Sequence, residues 1–397
     1  MLDYIRKKQL RLIANVPTNY IREKYLKKLV SKNRLVGLVG QRGVGKTTLL
    51  LQYLKLNFEP FEYLYFSADD IFMIDKSIYL VVEEFIKYGG KIVVIDEIHK
   101  YNNWAQELKN IYDSFPDIII RFSGSSMLNI LSQKYDLSRR AVIYEVETLN
   151  FKEFMRLYKN IDLPNLTLDT ILNEHIDLSS KYILKYPNLY SDFKKYLEIG
   201  YYPFFLEDEE EYKNKLFNAC DKIINEDIPS LNRIDYTHIS IFKRILAKLI
   251  YSKVPYKVNI SALSRELGIS HPTLMTYLDI LEKTKLVKSI IKYSKNISKK
   301  PAKLYYGNPN LLYVFSNEFG VDVDIGLIRE TFFVNIFKEI YYSDIGDFRV
   351  EDYIFEIGGK AKSFKQIKDI KGSYLVVDTD YEVNKNRIPL WIFGLLE

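Results

Sequence analysis

Short aliphatic runs recur through the first 150 residues at intervals long enough to hold a helix: 35–39, 63–66, 92–95, 118–122 and 141–146. Such runs are apolar at successive rather than alternate positions, the pattern of strands buried on both faces, and they predict a parallel sheet with crossover helices. From residue 151 to about 251 the period changes: Tyr and Phe fall three and four apart with Lys and Glu between them, predicting a helical lid or linker. Residues 252–316 read as two short helices and a strand pair, and 317–397 end in short strands. Gly200, Pro203, Pro255 and Gly320 fall near these joints.

At 397 residues the chain exceeds what one core organises, so several domains are expected. With 47% apolar and 27% charged residues it is a globular rather than a disordered sequence. No apolar run approaches the roughly 20 residues that span a bilayer. Residues 1–11 lack the apolar stretch of a secretory signal, so a cytoplasmic location without membrane contact is expected. A single cysteine, Cys220, excludes an internal disulfide framework and a multi-cysteine zinc site. His99, His175, His238 and His271 have no metal-ligand spacing. The net charge of +6 is too mild to demand a nucleic-acid partner by itself.

The first aliphatic run leads into Gly40-Gln41-Arg42-Gly43-Val44-Gly45-Lys46-Thr47, followed by Thr48 and a helical pattern. This is G-x-x-x-x-G-K-[ST] in its strand-to-helix context, a P-loop or Walker A motif. Its glycines let the backbone amides turn toward a β-phosphate, and the positive end of the next helix favours the anion. Lys46 is expected to reach the β- and γ-phosphates and Thr47 to ligate Mg²⁺. The run 92–95 ends in Asp96-Glu97, a Walker B pair. Paired acids closing an apolar strand need a cation or solvent, so Asp96 is assigned to Mg²⁺ and Glu97 to orienting and deprotonating an attacking water. The run 118–122 delivers Ser123-Gly124-Ser125-Ser126, where Ser123 either senses the γ-phosphate or caps a turn. Arg139 and Arg140 suit either a contact with a neighbouring subunit's nucleotide or a surface ion pair. His99 reads as a helix-surface residue or a polar relay. The fold class is thus α/β, a parallel-sheet P-loop NTPase core at 1–150 followed by helical lid (151–251), winged helix (252–316) and a small α/β C-terminal domain (317–397).

With these residues in hand, the sequence resembles a group of bacterial and archaeal AAA+-class ATPases that join the ATPase core to a winged helix and a nuclease-like domain. The resemblance rests on residues 37–52, on Ile95-Asp96-Glu97-Ile98-His99-Lys100, on Ser123-Gly124-Ser125-Ser126, on Asp136-Leu137-Ser138-Arg139-Arg140-Ala141 leading to 149–154, and on Gly200-Tyr201-Tyr202-Pro203-Phe204. It implies ATP as the nucleotide, the same roles for Lys46, Thr47, Asp96 and Glu97, and a nucleotide contact from Arg139 or Arg140.

Residues 260–270 read as a helix, a glycine turn at Gly268 and a serine cap at Ser270, and 272–281 as a second helix opening on Pro272. A helix-turn-helix of this kind would aim His271, Thr273, Thr276 and Tyr277 at DNA bases. Lys283, Lys285, Lys288, Lys292, Lys295, Lys299, Lys300 and Lys303 then follow with no acid among them, a wing suited to phosphates. Double-stranded DNA is therefore the expected partner, with a protein partner or a second copy of the chain as the alternative.

At the C-terminus, Asp347-Phe348-Arg349-Val350 and 353–360 resemble the sheet core of PD-(D/E)xK nucleases, which would give Asp347 and Glu356 to Mg²⁺. The sequence departs at position 358, a glycine where that pattern has lysine. Lys360 shares the Glu356 face only if the strand runs through two glycines, and Lys362 is the other candidate. A nuclease-like fold without cleavage is expected, with a helix over 362–371 and a closing strand at 391–394.

Overall fold

The computed structural model describes residues 2–125, 137, 139–231, 234, 236–294 and 300–397. Ser126, Asp136, Ser138, Lys295 and Lys299 lie outside the described residues. The chain forms two compact units, the first ending at Thr148 and the second beginning at Leu149.

In the first unit, α1 (Leu2–Asn15) and α2 (Glu23–Leu29) precede β1 (Leu35–Val39), α3 (Lys46–Asn57), β2 (Tyr63–Ser67), α4 (Ile78–Lys87), β3 (Ile92–Asp96), α5 (Trp104–Ser114), β4 (Ile119–Gly124) and β5 (Ala141–Glu145). The strands pair in parallel in the order β2-β3-β4-β1-β5. All five expected strands are present within one or two residues. Every residue of β1 and β3 is buried, as a sheet covered on both faces requires. The β2 edge is closed by a side chain: Tyr65 N donates to Gln9 Oε1 at 2.9 Å and Gln9 Nε2 reaches Tyr63 O at 3.5 Å. This buried amide of α1 takes the place of a missing neighbour strand. One cation sits within the described strands of the sheet. Arg121 of β4 is 1% exposed and donates to the carbonyls of Leu29, Ser31, Asn33, Arg34 and Ile120, closing the C-terminal end of α2. Because β4 lies between β1 and β3, the carboxyl ends of these strands stand side by side, where open α/β sheets bind ligands.

The second unit opens with α6 (Phe151–Lys159), α7 (Leu168–Lys185), α8 (Leu189–Ile199), α9 (Tyr212–Lys222) and α10 (Ile239–Tyr251). Next come β6 (Tyr256–Lys257), α11 (Ile260–Leu267), α12 (His271–Lys283), β7 (Val287–Ile291) and β8 (Pro301–Tyr306), whose strands form an antiparallel sheet in the order β6-β8-β7. After α13 (Pro309–Glu318) and α14 (Ile325–Ile336), a mixed sheet contains β9 (Tyr341–Tyr342), β10 (Phe348–Val350), β11 (Tyr353–Gly359), β12 (Ser373–Asp378) and β13 (Arg387–Pro389), ordered β13-β12-β11-β10-β9. The early helices of this unit join its C-terminal sheet: Asp378 accepts from Lys194 of α8 at 2.5 Å, from Arg329 of α14 at 2.8 Å and from Tyr190 at 2.9 Å. Asn310, fully buried, accepts from Tyr201 N at 2.8 Å and donates to Leu197 O at 2.7 Å, fixing α13 against the end of α8.

Two expectations are corrected here. Residues 362–371 contain only a single 3-10 turn, Phe364–Gln366, and 391–394 lie within a 3-10 stretch, Leu390–Leu395, that follows β13. A short continuous apolar run has no period with which to separate strand from helical turn.

Candidate functional site

The P-loop leaves β1 with two glycines doing work no other residue could do there. At Gly40 an added Cβ would lie 2.4 Å from Val146 O, and Gly45 holds φ at +91°, a left-handed conformation costly for side chains. Gly45 is the N-cap of α3 and no side chain caps that end, so the first amides of a 12-residue helix remain directed at the loop. Within the loop, Lys46 is 5% exposed and donates to Gly40 O and Gln41 O at 2.9 Å each. Gln41 and Val44 are buried, Arg42 and Gly43 half-buried, and Thr47 and Thr48 exposed.

Asp96, at the end of β3, faces the loop across a short gap. Its Oδ2 accepts from Thr47 Oγ1 at 2.6 Å and from Tyr65 OH at 2.9 Å, and its Oδ1 accepts from Ser123 Oγ and from Glu97 N at 3.2 Å. The Tyr65 phenol is pushed up by burial, with the Asp96 carboxylate adding to the shift, so it stays a donor. Thr47 and Asp96 offer hard oxygens at adjoining positions. That donor set suits Mg²⁺, which takes one or two protein oxygens together with water and phosphate. The exposed helix amides and Lys46 suit the phosphates. Among the described residues, no group of three or more His, Cys, Asp or Glu side chains is arranged to hold a metal by itself.

Glu97 follows in a left-handed backbone conformation, φ +49°, which costs roughly 1 kcal/mol in a residue with a Cβ. Burial raises its carboxyl above the usual range, Lys46 pulls it back and Asp96 raises it further. Glu97 Oε2 accepts from Ser125 Oγ at 2.9 Å. His99 is not a helix-surface residue. Its side chain is 4% exposed, its Nδ1 lies 3.4 Å from Glu97 Oε2, and its Nε2 lies 3.4 Å from Ser125 Oγ. Burial first, then the nearby cations, lower the His99 pKa to about 3, so the ring is neutral. Ser123 is at the site but fully buried behind Asp96, with its hydroxyl spent on that carboxylate and on Glu97 N. Arg140 pairs with Asp113 through both carboxylate oxygens at 2.8 and 2.9 Å.

In the second unit, α11 ends on Gly268 at φ +71° and α12 starts on Ser270, which accepts from Thr273 N at 3.2 Å. His271 and Thr276 are exposed, but Tyr277 is 4% exposed and bonded to His238, so it faces the interior rather than a partner. Much of the lysine run is occupied. Lys283 pairs with Asp279 at 2.6 Å, Lys292 with Asp344 at 2.6 Å, and Lys288 reaches Phe337 O at 3.5 Å. Lys303 is buried over the Tyr342 ring and lies 3.9 Å from Glu330.

A second group of carboxylates gathers on the mixed sheet. Asp347 accepts from Ile357 N at 2.8 Å, Glu330 accepts from Tyr305 OH at 2.8 Å, and Glu356 pairs with Lys362 at 2.6 Å. Burial, with Asp347 adding repulsion, pushes the Glu330 carboxyl up to about 7. The strand β11 does run through both glycines to Gly359, yet Lys360 is exposed beyond its end. Lys362 reaches Glu356 instead: a Cβ at position 358 would lie 2.5 Å from the Lys362 Cβ and Cγ, so that side chain crosses the space the glycine leaves.

These features define the class of the first unit, a P-loop nucleotide-binding domain. The family model described as an AAA domain matches residues 32–155, and a domain of unknown function (DUF8612) matches 190–320. Among curated proteins, Uncharacterized protein MJ1637 of Methanocaldococcus jannaschii is 34% identical over 284 residues, 68% of this chain and 59% of that protein. This chain thus spans about three fifths of that relative's length. Uncharacterized protein MJ1544 of the same organism is 25% identical over 84% of this chain and 74% of its own. Among solved structures, AMPPCP-bound DnaA from Aquifex aeolicus aligns at 15% identity and a TM-score of 0.26, covering 68% of this chain and 93% of that one. A katanin structure aligns at the same identity and TM-score over 36% of this chain and 51% of that one. Likeness at that score carries no functional weight. No helix among the described residues is long and apolar enough to cross a membrane.

Proposed function

We propose that the chain binds ATP with Mg²⁺ in the P-loop and hydrolyses it, Glu97 acting as the catalytic base and Lys46 stabilising phosphate charge. The single observation behind this reading is the 2.6 Å bond from Thr47 of the loop to Asp96 at the end of β3, which brings the two halves of the motif to one point. Bound Mg²⁺ would neutralise charge on the phosphate oxygens, held by Thr47 and Asp96. Gly40, Gln41, Arg42, Gly43, Val44, Gly45 and Thr48 line the phosphate cradle, and Arg140 is released from Asp113 to meet a neighbouring subunit's nucleotide. Domain limits at 150, 251 and 316 accompany this reading, with a winged helix at 252–316 that carries the nucleotide state to double-stranded DNA. The nuclease-like sheet at 317–397 acts without cleavage, its Glu356 already matched by Lys362.

The second reading is an ATP-driven switch on a protein partner. The pairing of Lys283 and Lys292 with acids of the same unit favours it, since paired lysines release fewer counterions from DNA. Hydrolysis with and without double-stranded DNA, at low and moderate salt, separates the two. Stimulation that fades as salt rises supports the DNA reading; hydrolysis indifferent to DNA overturns it and leaves the protein-partner reading.

A further inference from the structure

Glu97 is held by more than its own strand. Both side-chain contacts to its carboxylate meet the same oxygen: Ser125 Oγ donates to Oε2 at 2.9 Å, and His99 Nδ1 stands 3.4 Å from Oε2. No described side chain bonds Oε1, and the Glu97 side chain keeps 24% exposure, so only one of its two oxygens is anchored by a side chain. His99 follows within a 3-10 turn, Ile98–Lys100, directly after β3, and its side chain is buried there.

The hydrogen-bond inventory selects one arrangement of protons. A neutral imidazole has one N–H donor and one lone pair. Ser125 has a single proton, already directed to Glu97, so its oxygen is left as an acceptor. His99 Nε2 at 3.4 Å is the nearby group that can donate to it. The other nitrogen, Nδ1, makes no hydrogen bond, so its 3.4 Å approach to Glu97 Oε2 is a packing contact and the hold on that oxygen comes from Ser125. The chain of donors then runs one way, from His99 Nε2–H to Ser125 Oγ and from Ser125 Oγ–H to Glu97 Oε2.

We propose that His99 is a positioning residue for water activation, acting through the Ser125 hydroxyl to fix Glu97 Oε2 and so present Oε1 to the attacking water. This rests on the role given to Glu97 under the proposed function. Orienting partners behind a reacting carboxylate typically change rate by tenfold or more when removed, because the base loses its aim rather than its basicity.

The test compares wild type, His99→Ala, His99→Gln, Ser125→Ala and the His99→Ala/Ser125→Ala double variant in steady-state ATP hydrolysis, with Mg·ATP affinity measured separately by calorimetry. Expected are a fall in kcat of about tenfold or more for His99→Ala, with affinity within about twofold of wild type. Glutamine can supply a donor near the Nε2 position, so His99→Gln should recover to within about threefold of wild type. If His99 acts through Ser125, the double variant is no slower than Ser125→Ala alone. The proposal is overturned if kcat of His99→Ala stays within twofold of wild type, if affinity falls in step with kcat, or if the double variant multiplies the two losses. Should His99→Ala fail to fold, the glutamine and Ser125 variants decide: a Ser125→Ala enzyme at wild-type rate overturns it equally. Glu97→Gln serves as the control. If that variant hydrolyses ATP normally, the role of Glu97 fails and this proposal with it; if it is inactive while His99→Ala is not, only the present proposal fails.

Discussion

The two units each bring acids to the end or face of a sheet, but they satisfy them differently. In the first, Asp96 is surrounded by hydroxyls from Thr47, Tyr65 and Ser123, and the nearby cation Lys46 donates to the carbonyls of its own loop. Hydroxyl and carbonyl partners can be exchanged for metal and phosphate at little cost, because the ligand's opposite charges meet Asp96 and Lys46 as the neutral partners move away. In the second, Glu356 is matched by Lys362, and Glu330 by Tyr305 with Lys303 beyond it. A buried carboxylate matched by a cation resists exchange, since drawing the cation away strands a charge. The difference separates a site that awaits a ligand from one that completes itself, though both are carboxylate clusters in sequence.

The largest effects should come from the first site. Lys46→Ala is expected to lower hydrolysis by roughly a hundredfold or more, and Glu97→Gln by a similar factor while Mg·ATP binding persists. Steady-state rates alongside calorimetry check both, and a Glu97→Gln protein that no longer binds would blur the contrast between chemistry and binding.

Next in size is the closed cluster. Lys362→Met should destabilise the fold by about 1–3 kcal/mol in denaturant unfolding, an amount reduced because Lys362 is itself partly exposed. Adding Glu356→Gln should return most of that loss, since both charges are then gone; no recovery would mean the pair is not what holds Glu356. The same cluster makes a pH prediction. Glu330 titrates near 7 when folded against an ordinary value of 4.5, so the folded state binds more protons in between and stability falls as pH rises from about 4.5 to about 7. Asp347, Lys303, Tyr305 and Glu356 are the groups that face it. Glu330→Gln should flatten that part of the stability profile relative to wild type, and an unchanged slope would show that Glu330 is ionised throughout.

The smallest effect should be Arg140→Ala on stability, with a denaturant midpoint indistinguishable from wild type, because its pair with Asp113 lies at the surface and is screened by solvent. Mixing Arg140→Ala with Lys46→Ala subunits then reads its other role. Activity recovered in the mixture places the arginine across a subunit boundary, and none recovered removes it from the nucleotide site.

The parallel sheet and the Walker residues were legible in the sequence because their signals are local. An aliphatic run of five between helix-length segments, and a motif of eight residues, both lie within one stretch of chain. The two short helices at Ile260–Leu267 and His271–Lys283 were legible for the same reason, through Gly268 and Ser270. What was not legible depends on where a side chain goes. Alternation left Lys360 and Lys362 both open as partners of Glu356; the strand ends at Gly359, and the bare Gly358 opens the route by which Lys362 arrives. His99 carries no apolar pattern of its own, and it lies buried in a 3-10 turn just after β3. Tyr277 falls on the exposed face by simple counting, yet its hydroxyl finds His238, 39 residues away in the chain. Of the lysines read as a basic wing, Lys283 found Asp279 one helical turn back, while Lys292 and Lys303 approach Asp344 and Glu330, acids that only the folded chain brings near.

The most direct measurement is ATP hydrolysis by wild type and by Glu97→Gln, each with Mg²⁺ and each with and without double-stranded DNA. Turnover by wild type and its loss in the variant despite retained ATP binding are expected. Equal turnover by the two proteins would contradict the role of Glu97.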